Sequence, residues 1–329
     1  MARSDARGSR RRGCLGGAAT LLVALALAVG AVVVGLNVLT SPGAAGSCTV
    51  TLADGTAVAL DDDQAANAAL LTGVALRREL PARAATIAIA TALQESKLRN
   101  IDYGDRDSVG LFQQRPSQGW GTVEQIMEPV YATNAFYDVL VTVQDWEGQE
   151  ITEAAQNVQR SAFPDAYAQH EDRGRGFASA LSGYSAAALT CDLPPDAATD
   201  GDAGATGPVA AAEATGQDPT VPQRLARVAE HVERDLGLTA TVRAGGVLTV
   251  DATALPGGRD PSPDRLGWAV AQWAVATATV TGAEAVVVDG RAWVRAGEEG
   301  WTPVPEADLP EAVTAASGAA APGVVVVLA

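Results

Sequence analysis

The stretch from Pro81 to Gln94 constrains the fold of this 329-residue chain more than any other feature. It sets Ile87, Ile89 and Leu93 among alanines, so a helix built from it is apolar nearly all round. Such a helix has no polar face to offer water and must be enclosed by other elements. Pro81 opens it, because its fixed φ suits a first helical turn, where the missing N–H has no partner to lose. The neighbouring segments can supply the enclosure. Asp61-Asp62-Asp63 places acids where a helix N-terminus attracts them, and predicts a helix over 64–78 that Leu80-Pro81 breaks. Residues 97–121 read as a loop rich in Asp, Gly and Gln, 123–144 and 151–159 as helices, and 174–181 as a last short helix. The expectation is a mainly α domain around a buried central helix.

That central helix ends in Glu95-Ser96. A carboxyl group there is held partly away from water and close to the negative end of the helix dipole. Both conditions disfavour the ionised form and raise its pKa. A carboxylic acid that keeps its proton near neutral pH can serve as a general acid, as cleavage of a glycosidic bond requires. The plainer reading is a surface carboxylate paired with Lys97 or Arg99. Twelve residues on comes Ser108-Val109-Gly110-Leu111-Phe112-Gln113-Gln114-Arg115.

Together, Glu95-Ser96 and Gly110-Leu111-Phe112-Gln113 resemble the lytic transglycosylase and goose-type lysozyme superfamily. In that family a Glu-Ser pair closes a buried helix, and Gly-Leu-Met-Gln follows one loop later. The match is best from about Ala84 to Trp120 and loosens towards Tyr167, so it covers one domain only. The resemblance implies a lysozyme-like α fold acting on peptidoglycan glycan strands at the MurNAc–GlcNAc linkage. Glu95 would protonate the glycosidic oxygen, the substrate's acetamido group would stabilise the sugar cation, and the ionised Glu95 would then take the C6 hydroxyl proton to close a 1,6-anhydro ring. Gln113 corresponds to the cleft glutamine near the acetamido group or the glutamate, and Ser96 would orient the turn after Glu95. Trp120, Tyr131 and Tyr167 are candidates to stack on sugars, and Arg115 to meet a peptide-stem carboxylate. A hydrolase would need help for water, for which Asp102, Asp105 and Asp107 are available. The family's Ala-Tyr-Asn-x-Gly segment is answered only by Ala154-Ala155-Gln156-Asn157-Val158-Gln159, without Tyr or Gly. This leaves open a second reading: a glycan-binding or cell-envelope scaffold module that does not cut.

The N-terminus indicates where such a domain would work. Arg3, Arg7, Arg10, Arg11 and Arg12 stand against one acid, Asp5, and precede an uncharged apolar run over 18–39. A run of ~20 residues is long enough to span a bilayer, and the arginines orient it with the N-terminus in the cytoplasm. A cleaved signal peptide, with small residues at Ala44-Ala45, is the rival reading. Either way the rest of the chain is exported. In that oxidising space Cys48 and Cys191 are expected to pair, while Cys14 stays on the cytoplasmic flank.

The domain expectation is a basic tail over 1–17, a transmembrane helix over 18–39, a lysozyme-like domain over 48–191, an acidic linker over 192–221 and a small α+β domain over 222–329. In the last, Leu225, Val228, Val232 and Leu236 mark one helical face that Gly237 ends. Two hairpins follow, turned at 244–246 and at Asp289-Gly290, with a helix over 264–279 between them and a strand over 324–328 at the end. Trp273 reads as core, whereas Trp268, Trp293 and Trp301 are candidates for a binding face. From Asp192 onward 19 acids meet 8 arginines, so this surface should avoid anionic polymers, and its expected partner is an envelope protein. A net charge of −16 argues against nucleic acid. His170 and His231 lack metal-site spacing, and no cofactor fingerprint is present, so no metal or cofactor is expected.

Overall fold

The computed structural model describes residues 46–161, 164–194, 220–243, 245–256, 258–295, 297, 300–304 and 323–328. The apolar run over 18–39 and most of the expected linker lie outside them. Among the described residues no helix is long and apolar enough to cross a membrane.

The chain mixes helices with two antiparallel sheets. Strands β1 (Ser47–Thr51) and β2 (Ala57–Asp61) lead into α1 (Asp62–Arg77), α2 (Ala82–Ser96), a single turn α3 (Val123–Ile126), α4 (Pro129–Leu140), α5 (Ile151–Gln159), a 3-10 turn (Pro164–His170), α6 (Glu171–Leu181) and β3 (Leu189–Asp192). Asp61 caps α1, with Gln64 closing the reciprocal capping box and Asp62 and Asp63 in the first turn. The expected single helix over 123–144 is broken. Pro129 cannot continue a helix from its N-terminal side, and Glu128 caps the new start by accepting from the Val130 and Tyr131 amides.

Helix α2 is the enclosed centre. Ala84, Ala85, Ile87, Ala88, Ile89, Ala90, Ala92 and Leu93 are all buried. It packs on α1, α4, α5 and most closely on α6. Gly174 permits that closest approach, since a Cβ there would lie 2.9 Å from the Thr86 carbonyl oxygen. The end of α2 is fixed by two consecutive left-handed residues, Lys97 (φ 57°) and Leu98 (φ 58°). This conformation disfavours L-residues. Two side chains from α1 hold it: Gln64 donates to the Lys97 carbonyl at 2.7 Å and Asn67 to the Leu98 carbonyl at 3.0 Å.

A small sheet, ordered β2-β1-β3, closes the helical section. Short polar-alternating strands at the edges of a helical domain leave little pattern, and the sequence reading missed it. In it Cys48 stands directly opposite Cys191, and the two form a disulfide across a Cα separation of 4.0 Å.

The C-terminal section comprises α7 (Val221–His231, extended by a wider turn over Val232–Leu236), β4 (Ala240–Arg243), β5 (Val247–Asp251), α8 (Pro263–Ala276), the single turn α9 (Ala278–Thr281), β6 (Ala285–Val288), β7 (Arg291–Val294), β8 (Thr302–Pro303) and β9 (Val324–Leu328). Its sheet runs β4-β5-β9-β6-β7-β8, so the last strand is inserted between the two hairpins. Helix α8 lies between this sheet and the helical section, touching β6, β9, α1, α6 and β3. All of its residues from Arg265 to Ala276 are buried. Trp268, Trp293 and Trp301 are buried with Trp273, which corrects the expectation of a tryptophan binding face. Trp301 instead donates its indole N–H to the Leu189 carbonyl at 2.7 Å and meets Trp268 edge-on. The described residues thus form one compact unit.

Candidate active site

Glu95 sits in the last turn of α2 and is half-buried. Burial raises its pKa above the usual carboxylate value, while two hydrogen bonds favouring the charged form oppose that rise. One is from Tyr167, whose phenol donates to Oε1 at 2.7 Å from the 3-10 turn before α6. The other is from the side chain of Gln159, the last residue of α5. Three elements far apart in sequence therefore converge on one carboxyl group. Tyr167 is fully buried and its own pKa is pushed up by burial and by the Glu95 charge, so the phenol stays a donor.

The segment after Glu95 is bound to the same helix end. Ser96 Oγ donates to the Leu111 carbonyl at 2.7 Å, with the Ala92 carbonyl at 3.1 Å, and accepts from the Arg99 amide at 3.2 Å. Gln159 Nε2 donates to the Phe112 carbonyl at 2.8 Å. The Phe112 ring stacks on Phe136 with centroids 4.4 Å apart, which anchors the turn in the core. Val109 and Gln114 exchange backbone hydrogen bonds at 3.0 Å, so 109–114 is a closed turn, with Gly110 (φ 80°) and Gln113 (φ 49°) in its left-handed positions.

Several expected roles change on this geometry. Gln113 does not turn to Glu95: its amide donates to the carbonyls of Tyr103 (3.2 Å) and Gly110 (3.3 Å), and its oxygen accepts from Ser108 Oγ (3.1 Å). Gln159 is the glutamine that reaches the acid. The sequence reading passed over it, although it lies in the same 154–159 segment that departs from the family pattern. Tyr167 has no exposed ring face for a sugar; its contact is with Glu95. Ser96 is buried and acts by tying the helix end to the 109–114 turn. Arg115 pairs with Asp107 at 3.2 Å. Asp107 is drawn down to about 2 by the Ser117 amide and hydroxyl and by Arg115, which makes it a brace for the loop rather than a partner for water. Trp120 is half-buried against the core, and its carbonyl accepts from the Tyr131 hydroxyl at 3.3 Å. Asp102 and Asp105 are exposed on the loop surface.

A cavity of about 30 Å³, lined by Leu80, Pro81, Tyr184 and Arg265 among others, lies at the opposite end of α2. At 1.5 Å per residue this is roughly 20 Å from Glu95, so it belongs to other chemistry or to none. Among the described residues no cluster of His, Cys, Asp and Glu could hold a metal ion. No family model matches the sequence, and no curated protein matches it.

Proposed function

We propose that this chain is a membrane-anchored, extracytoplasmic enzyme that cleaves peptidoglycan glycan strands at the MurNAc–GlcNAc linkage, with Glu95 as general acid and then base. The observation that carries the reading is the environment of Glu95: a carboxyl at the end of an enclosed helix, raised by burial and gripped by a buried phenol and an amide. The raised pKa keeps a proton available for the glycosidic oxygen. After departure of the leaving sugar, Tyr167 and Gln159 favour the carboxylate, which is the form needed to take a proton from the C6 hydroxyl. No second protein carboxylate is required when the substrate's acetamido group stabilises the cation. The disulfide between Cys48 and Cys191 fits an exported domain.

The turning of Gln113 into its loop favours the second reading, a lysozyme-like module that binds glycan without cutting. The two are separated by incubating the wild-type chain and Glu95→Gln with purified peptidoglycan and weighing the released fragments by mass spectrometry. Anhydro-ended fragments from wild type alone support the transglycosylase, and reducing ends a lysozyme. No release by either, with retention on the wall, sinks the enzymatic reading.

A further inference from the structure

Among the described residues two large aromatic side chains are well exposed, Tyr103 at 69% and Tyr184 at 51%. Tyr184 lies beneath the Arg265 guanidinium, 4.9 Å from the ring centroid. Tyr103 stacks on no ring or cation among the described residues, and it stands on the loop between Glu95 and Gln113.

Its backbone, in contrast to its ring, is held tightly. Gln113 Nε2 donates to the Tyr103 carbonyl. The next residue, Gly104, leaves room for this strut: a Cβ there would lie 1.9 Å from Gln113 Oε1 and 2.4 Å from Ser108 Oγ. Ser108 closes the arrangement by donating towards Gln113 Oε1 and the Asp105 carbonyl, at 3.1 and 2.8 Å. Gln113 in turn follows directly on Phe112, whose carbonyl is bound by the same Gln159 that touches Glu95. The ring is therefore free while its mounting is continuous with the acid.

We infer that Tyr103 is a stacking platform for a pyranose ring of the glycan strand, positioning that strand against Glu95. An aromatic face is electron-rich and attracts the weakly positive C–H groups that line one side of a sugar ring. A ring on a fixed backbone loses little conformational freedom on binding. The exposed Asp102 carboxylate beside it can accept from sugar hydroxyls, and Asp105, paired with the exposed Arg106 at 3.8 Å, leaves the loop without a net positive charge to draw phosphate-bearing polymers, which favours the uncharged N-acetylglucosamine unit as the occupant. This role rests on the glycan reading of the preceding section. Gln113 acquires a function within it, as the strut that presents Tyr103.

The test separates the two claims by measuring binding without cleavage. Full-length Glu95→Gln protein, alone or combined with Tyr103→Ala or Tyr103→Trp, is sedimented with increasing amounts of purified peptidoglycan. Melting temperatures should agree across the three, because the Tyr103 ring is not packed. The expected result is roughly tenfold weaker retention for Tyr103→Ala, the size of one lost aromatic contact, and restored retention for Tyr103→Trp. Equal retention of the parent and Tyr103→Ala overturns the platform and leaves the Glu95 reading standing. No retention of the parent, with no fragments from wild type, overturns the glycan reading and the platform with it.

Discussion

Replacing Gln272 by Leu should destabilise the whole compact unit, and the structure sets the size of the effect. Gln272 is fully buried on α8 and bridges the two sections with three hydrogen bonds. Its Nε2 donates to the Ala180 carbonyl at 2.7 Å and the Ser185 carbonyl at 3.1 Å, and its Oε1 accepts from the Leu189 amide at 2.8 Å. Two of these partners are cushioned. The Ala180 carbonyl keeps the Gly183 amide at 2.8 Å, and the Ser185 carbonyl keeps the Ala188 amide at 3.3 Å. Each of those losses is worth about 1 kcal/mol. The Leu189 amide is different, because Leu189 faces away from the hydrogen bonds of the β1–β3 ladder and is fully buried. An orphaned buried donor costs about 1–3 kcal/mol. The expected loss is roughly 3–5 kcal/mol, a large share of the 5–15 kcal/mol typical of a folded domain. Urea unfolding followed by far-ultraviolet circular dichroism and by tryptophan fluorescence should show one shared transition at lower urea. A loss below about 1 kcal/mol would refute the reasoning that this bridge is essential to the packing. Separate transitions already in the wild type would show that the two sections do not unfold as one.

Four further outcomes follow from the same geometry. Tyr167→Phe removes a donor that favours ionised Glu95, so the acid should titrate at higher pH and the alkaline limb of the glycan-release profile should move up; an unmoved limb argues against Glu95 as the acid. Glu95 is raised by burial, so the folded state holds a proton that the unfolded state has released, and its contribution to stability falls as pH rises from the unfolded pKa through the folded one. Glu95→Gln should therefore gain stability over wild type at neutral pH and lose that advantage at acid pH, as read by paired thermal melts. Replacing Cys48 and Cys191 together by Ser opens a loop spanning 143 positions and should destabilise by about 4–5 kcal/mol in chemical unfolding. Gly104→Ala forces a methyl group onto Gln113 and Ser108. It should cost about 1–3 kcal/mol in urea unfolding and weaken wall binding together with it.

The helices and their order were legible because their signals are local. Pro81, the acids at 61–63, Gly237 and the alternation around Asp289-Gly290 each act through a dihedral preference or a nearby dipole. The helix break at Pro129 was equally local and was missed because the apolar period runs through it. The three-stranded sheet was illegible for a different reason: β1 and β3 lie 138 positions apart at their nearest ends, Thr51 and Leu189, and neither is patterned strongly enough to announce a partner. The burial of Trp268, Trp293 and Trp301 depends on how the C-terminal section packs on β3 and on its own sheet, which no window of sequence contains. Glu95 was singled out by its place at the helix end only together with the resemblance carried by residues 110–113, and its half-burial and raised pKa agree with that place. Its real neighbours, Tyr167 and Gln159, could not be assigned, because each arrives from a separate element and is aimed by tertiary packing.

That division explains why Gln159, and not Gln113, reaches Glu95. A sequence motif fixes a glutamine in a loop but not the direction of its amide, which is decided by whichever acceptors lie within reach. Here Gly104 clears space beside Gln113, the Tyr103 and Gly110 carbonyls take its two N–H groups, and Ser108 takes its oxygen. With that amide satisfied inside the loop, Glu95 would face a less polar surrounding unless another donor arrived. Gln159 supplies it from α5, and its second contact, to the Phe112 carbonyl, fixes the loop and the acid relative to one another. Gln113 thus shapes the loop surface, while Gln159, with Tyr167, favours the charged form of Glu95 against its burial. Substituting Gln159 should accordingly alter the pH dependence of any glycan release, whereas substituting Gln113 should alter affinity for the wall and leave that pH dependence in place.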